Sequence, residues 1–83
     1  MEQMDIYNRY VEQEDRYYKQ LETLEHCQCA LYDHIYRYGE QFDEQTAEQV
    51  LLNIHQLEDT IRLELLHARL AKAYLAYRNK QAT

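Results

Sequence analysis

The second half of the chain carries apolar residues on two opposite faces of one predicted helix, and this pattern constrains the fold most strongly. At about 100° of turn per residue, one set of side chains falls within about 40° of Ile61: Val50, Ile54, Leu57, Leu65, Ala68 and Leu75. A second set falls about 140–220° away: Leu52, Leu63, Leu66, Leu70, Tyr74 and Tyr77. A helix that is apolar on two sides is expected to be buried on two sides. The first half of the chain can cover one side, so the other needs a second copy or a different protein.

The composition predicts a chain that is helical almost throughout. Its 83 residues include no proline, no serine and one glycine, so few residues favour turns or β-hairpins. We predict helix 1 over about residues 2–38, a turn over 39–43 and helix 2 over about 44–79, within one domain of residues 1–83. Gly39 is expected to end helix 1 in the left-handed conformation, and Asp43 is expected to cap helix 2.

A turn this short places the two helices antiparallel, as an αα-hairpin. The apolar residues of helix 1 that could face helix 2 are mostly four or seven positions apart, which is typical of a coiled coil: Ile6, Tyr10, Tyr17, Leu24, Leu31, Ile35 and Tyr38, flanked by Leu21 and Cys27. Facing residues then have numbers that sum to about 84, so Leu24 lies near Ile61. The predicted fold class is an all-α antiparallel two-helix hairpin, completed into a helical bundle by self-association or by a partner.

Tyrosine is unusually frequent, with nine residues in the chain, seven of them in predicted helix 1. Tyr18, Tyr32 and Tyr36 lie together on a flank about 80–140° from the face that meets helix 2. A tyrosine ring is apolar and its hydroxyl is polar, so the residue is common at protein interfaces. We predict that these three tyrosines extend the second apolar face of helix 2. The alternative is that they border the core with their hydroxyls in water.

No residue pattern indicates catalysis or a cofactor. Cys27 and Cys29 lie two positions apart on a helix and point about 200° apart, so they are not expected to share one metal ion. The spacing typical of zinc sites is absent, and we expect free, partly buried thiols. The single glycine excludes the usual phosphate-binding loops, and a hairpin of two helices offers no deep pocket. We therefore predict no metal, no cofactor, no catalytic residue and no enzymatic activity.

Charge and hydropathy bear on partners and location. The net charge is −6, with four acids and no base in residues 39–48. The bases of the last helix are spread around its circumference, so nucleic acid is not an expected partner. No apolar run is long enough to cross a bilayer, and the first residues do not form a secretory signal. We expect a cytoplasmic protein without membrane contact.

These observations predict protein–protein binding without catalysis. The first hypothesis is a small adaptor, co-chaperone or inhibitor that covers another protein's surface, and the isolated chain is expected to form a homodimer or higher oligomer. The alternative is a homodimeric four-helix-bundle regulator that presents its outer surface to nucleic acid. A helical-bundle enzyme or metal carrier is the third possibility. In shape alone, the hairpin resembles plasmid copy-control hairpins, type III secretion co-chaperones and small phage inhibitors, and no motif selects among them.

Overall fold

The computed structural model describes the backbone of residues 2–82 and the side chains of residues 4–81. Helix α1 spans Glu2–Tyr38, a 3₁₀ turn spans Gly39–Gln41, and helix α2 spans Glu44–Ala82. The two helices pack along each other into a rod of 64 × 15 × 14 Å. The predicted all-α helical hairpin is therefore confirmed. Helix α2 continues three residues past its predicted end at Asn79.

Most of the least exposed residues of both helices recur at alternating spacings of three and four, which keeps one face of each helix toward the other; the partly buried Val11, Gln13 and Ala71 lie beside this row. We call the residues of the row the interhelical seam. On α1 they are Tyr7, Tyr10, Glu14, Tyr17, Leu21, Leu24, Gln28, Leu31 and Ile35. On α2 they are Ala47, Leu51, Ile54, Glu58, Ile61, Leu65, Ala68, Lys72, Leu75 and Asn79. The spacing is that of an antiparallel two-stranded coiled coil.

Several residues that the sequence pattern assigned to the seam lie outside it: Ile6, Cys27, Tyr38, Val50 and Leu57 are all exposed. The α2 seam is centred between Ile61 and Leu65 and follows a repeat of 3.5 residues, because two positions per heptad share the contact face. A helix with 3.6 residues per turn drifts from that repeat by about 20° per heptad, so away from Ile61 the seam passes to Leu51, and Val50 and Leu57 lie on its flank. Tyr38 is the last residue of α1, and its ring packs near His34, at 5.7 Å between ring centroids.

The prediction for Gly39 was wrong. No glycine in the described chain has a positive φ, and Gly39 begins the 3₁₀ turn, which the Phe42 amide closes by donating to the Gly39 carbonyl oxygen at 3.1 Å. A 3₁₀ turn uses negative φ angles, so the left-handed conformation is not required. A Cβ added at Gly39 would meet Ile35 Cγ2 at 4.0 Å, an ordinary contact. The position therefore does not depend on glycine.

The predicted helix cap at Asp43 is confirmed. Its Oδ2 accepts hydrogen bonds from the Thr46 hydroxyl at 2.6 Å and from the Thr46 backbone amide at 3.0 Å. These two bonds favour the ionised carboxylate and lower the pKa of Asp43 below its ordinary value of 3.8, the hydroxyl bond contributing most. The cap fixes the point where the chain enters α2.

We expect Asp43→Ala to lower stability at neutral pH and to matter less in acid. Because the folded-state pKa is lowered, the carboxylate's contribution is fully present above the unfolded pKa and is lost as pH falls through the folded pKa. Urea denaturation of the wild type, Asp43→Ala and Asp43→Asn, followed by circular dichroism at neutral pH and well below pH 3.8, measures this. Asp43→Asn, which keeps a side-chain acceptor, serves as control. A difference between wild type and Asp43→Ala that stays constant or grows in acid would contradict the assignment.

Candidate functional site

The seam contains a buried carboxylate that is hydrogen-bonded across the hairpin. Glu58 is only 5% exposed, and its Oε1 accepts a hydrogen bond from Gln28 Nε2 of α1 at 2.7 Å. On α2 itself, His55 Nδ1 lies 3.4 Å and Arg62 Nη2 lies 3.6 Å from the same carboxylate. Glu58 and Arg62 therefore form an ion pair one helical turn apart, with the carboxylate inside the seam rather than in solvent.

A second polar pair crosses the seam near the open end of the hairpin. Lys72 Nζ lies 2.6 Å from Oε1 of the buried Glu14, and 5.8 Å from the centre of the Tyr7 ring. The hydrogen bond to Glu14 is the main reason that the pKa of Lys72 is raised. In both polar pairs the residue numbers sum to 86, close to the predicted register of about 84. The pairs align the two helices, because a shifted register would leave buried charges without partners.

Little apolar surface is buried inside the hairpin. Among the described side chains, the buried apolar residues are Ile61, Leu65, Ala68 and Leu75, and all four belong to α2. Polar residues occupy Glu14, Gln28, Glu58 and Lys72 of the seam, where a coiled coil usually has apolar side chains. The hairpin therefore has a thin core for its length.

In contrast, the second apolar face predicted for α2 is turned toward solvent. We call it the outer face: Leu52, Leu63, Leu66, Leu70, Tyr74 and Tyr77. Each of these residues is 51–58% exposed, which is high for large apolar residues along one side of a helix. A shallow groove in this face is lined by Leu70, Ala73, Tyr74 and Tyr77. The structure thus places the outer residues from Leu63 onward on the side of α2 that α1 does not cover, whereas Leu52 lies nearer the turn, in a groove that residues of α1 also line.

The predicted tyrosine flank of α1 is also exposed, but only one of its residues adjoins the outer face. Tyr32 and Leu52 line the same groove near the turn, together with Phe42 and His55. Tyr18 is half exposed, and Tyr36 is 91% exposed. Tyr32 therefore joins the outer face at the closed end of the hairpin, whereas Tyr36 projects into solvent.

The thiols lie on the surface. Cys27 and Cys29 are both exposed and free, so the expectation that they are partly buried was wrong, because neither position belongs to the seam. Within the described residues, no three histidine, cysteine or acidic side chains are grouped so as to hold a metal ion. Nor does either helix, over the part that the structure describes, combine the length and apolar character that crossing a bilayer requires.

One residue of the outer face was not identified from the sequence. Ala73 lines its groove, and the signal that could have identified it is the spacing of Leu66, Leu70, Ala73 and Tyr77, which alternates between four and three. Helix α2 also carries a charge gradient. Residues 44–59 contain four acids and no lysine or arginine, whereas residues 60–82 contain five lysines and arginines and one acid.

Comparison with known proteins adds no functional assignment. No protein-family model, curated protein or solved structure matches the chain. A functional proposal therefore rests on the arrangement of the exposed faces of the hairpin and on the charges that surround them.

Proposed function

We propose that the protein is a non-enzymatic protein–protein interaction module that binds through the outer face of α2. The observation that carries this proposal is the imbalance between six large apolar side chains exposed on one helix face and four apolar side chains buried in the whole described hairpin. Contiguous apolar patches on small proteins mark interaction sites far more often than scattered apolar residues do.

The energy available from this face is large for a chain of this size. Fully burying a leucine side chain contributes about 1.5–3 kcal/mol, so completing the burial of six half-exposed side chains contributes roughly 5–9 kcal/mol before the costs of association. That is comparable to the entire net stability of a typical domain, about 5–15 kcal/mol. Binding would therefore strengthen the hairpin as well as hold the partner.

The same geometry suits an adaptor, co-chaperone or inhibitor acting in the cytoplasm. A rod of 64 × 15 × 14 Å with one apolar side can cover a long, narrow apolar surface of another protein. Tyr32 extends the contact area around the closed end of the hairpin, where it shares a groove with Leu52. Tyr18 and Tyr36 would provide a weaker flank on α1.

Nucleic-acid binding receives less support from the structure. Among the bases of α2, Lys72 pairs with Glu14 inside the seam and Arg62 pairs with Glu58 and Asp59. Phosphate contacts need several available cations on one surface. The apolar outer face, rather than the charged residues, is therefore the basis of the proposal.

Affinity capture from the native source tests the proposed function. We expect the tagged wild-type chain to retain a defined set of proteins, and Leu66→Glu to lose that set while its circular dichroism remains helical. A charge placed in an apolar interface is costly when bound and nearly harmless when the site is wet. Leu57→Glu is the matched control, because Leu57 is 50% exposed and Leu66 is 56% exposed, on opposite flanks of the same helix. Equal capture by the wild type and Leu66→Glu would refute the proposal.

A further inference from the structure

We infer that the outer face binds a second copy of this chain, with the two α2 helices packed antiparallel about a two-fold axis. The inference rests on the proposed function and names the occupant of its site. It is supported by three properties of α2: the spacing of the outer-face residues, the direction of the charge gradient and the area that the face presents.

The outer face carries a second heptad-like repeat, separate from that of the seam. Its positions alternate between spacings of four and three: Asp59, Leu63, Leu66, Leu70, Ala73 and Tyr77. This spacing is the one by which a helix packs along another helix. The occupant that such a face fits best is therefore a helix lying nearly parallel or antiparallel to α2, over about five turns.

An antiparallel pair centred between Leu66 and Leu70 matches the side-chain sizes along this repeat. Leu66 of one copy then packs against Leu70 of the other, and the reverse contact follows by symmetry. In the next layer outward, the large Leu63 faces the small Ala73 of the second copy. The central layer pairs two leucines, and the next layer pairs a large residue with a small one, which lets the two helices pack closely there.

The charge gradient of α2 favours the antiparallel arrangement. Its first part, residues 44–59, is acidic, and its later part, residues 60–82, is basic. In the antiparallel register, residues 44–53 lie beyond the overlap of the two helices and Glu58 lies in the seam, so Asp59 is the acidic residue of this part that meets the basic part of the other copy. Parallel packing instead sets identical residues side by side. A two-fold interface requires a surface that complements itself, and an acidic residue that meets the basic part of the second copy has this property.

One specific ion pair follows from this register. The side chain of Asp59 is 79% exposed and contacts Arg62 Nη1 of its own helix at 3.5 Å. In the antiparallel dimer, Asp59 faces Tyr77 of the second copy, and the exposed Arg78 that follows Tyr77 can reach Asp59 from the edge of the interface through its long side chain; symmetry produces this contact twice. A parallel dimer would instead place the two Asp59 side chains side by side.

The area of the outer face is sufficient for a dimer. Three half-exposed leucines and two half-exposed tyrosines present roughly 500–600 Å² of mainly apolar surface per copy, or about 1,000–1,200 Å² over both copies. A specific interface is expected to bury at least about 1,000 Å² in total. Leu52 lies beyond the overlap of the two helices and remains, with Tyr32, at the closed end of each hairpin.

Sedimentation of the purified chain at micromolar concentration is the first test. The wild type and Leu57→Glu are expected to sediment as dimers, and Leu66→Glu and Leu70→Glu as monomers that remain helical by circular dichroism. A well-folded wild-type monomer, or a Leu66→Glu variant that stays dimeric, would overturn the inference.

A charge exchange tests the register. Asp59→Arg and Arg78→Asp are each expected to weaken the homodimer by about tenfold, because each replaces two attractive pairs by two repulsive ones. Mixing the two single variants should restore the wild-type affinity, since position 59 of each copy then meets a residue of opposite charge at position 78 of the other. The double variant should also recover it. If mixing leaves the dimer as weak as in the single variants, the antiparallel register is wrong.

The two proposals fail in different ways. A wild-type chain that is monomeric by sedimentation, yet loses captured proteins in the Leu66→Glu variant, contradicts the second-copy inference and leaves the interaction module standing. A chain whose sedimentation and capture are both unaffected by Leu66→Glu contradicts both.

Discussion

Leu65→Ala is expected to unfold most of the chain. Leu65 is 7% exposed and is one of the four buried apolar residues of the described hairpin. Leucine-to-alanine changes in packed cores cost about 2–5 kcal/mol, which is a large part of the stability of a domain this small. The measurement is urea denaturation followed by circular dichroism, with all samples at one protein concentration, because association with a second copy contributes to apparent stability.

Leu57→Ala is the control for that experiment. It removes the same atoms from the same helix at a position that is 50% exposed, so the expected loss is below about 1 kcal/mol. Equal losses for the two variants would mean that the seam is not centred between Ile61 and Leu65, and that the burial of α2 differs from the structure described.

Gln28→Ala is expected to lower the stability of the hairpin more than a change at any other polar residue of the seam on α1. It removes the 2.7 Å donor to the buried Glu58 carboxylate, and hydrogen bonds to charged groups contribute about 1.5–3 kcal/mol. Thermal and urea denaturation measure the loss.

The double variant Gln28→Leu, Glu58→Leu tests whether the polar pair adds net stability to the hairpin or only sets the register of the two helices. Replacing both partners of a buried polar pair by apolar side chains is often neutral or stabilising. We therefore expect the double variant to be at least as stable as the wild type, although Gln28→Ala alone is much less stable. A double variant as unstable as the single one would show that the pair itself contributes net stability.

The helices and their register could be predicted from the sequence because they depend on local signals. The lone glycine and the absence of proline locate the break between two helices, and Asp43 begins α2 as a capping residue should. The register followed from the short turn, since little freedom remains once the two helices are joined by a few residues. Apolar periodicity also separated the residues of the outer face from those of the seam in α2.

The polar members of the seam could not be predicted in the same way. Glu14, Gln28 and Lys72 have the side chains of surface residues, and each is accommodated only by its partner on the opposite helix. Periodicity within one helix does not contain that information. Tyr7 and Leu51 also lie in the seam, whereas Ile6, which periodicity assigns to it, is exposed.

The sequence predicts which residues of α2 form the candidate site, but not which residues of α1 lie beside them. The sequence shows that Leu52, Leu66 and Tyr77 share one side of α2, and the structure shows that α1 does not cover them. The arrangement of Tyr32 beside Leu52 depends on how α1 meets the start of α2, which single-helix geometry does not specify.

The positions of the two cross-seam polar pairs have a consequence for how the hairpin forms. The pair nearer the turn closes a separation of 30 residues, and the pair nearer the open end joins Glu14 to Lys72. Once the inner pair has formed, every further layer lengthens the closed loop only slightly, and the entropy of loop closure rises slowly with length. The two helices are therefore expected to pair first next to Asp43 and then, layer by layer, toward the open end of the hairpin. Separation of the helices would proceed in the opposite direction, from the Tyr7 end toward the turn.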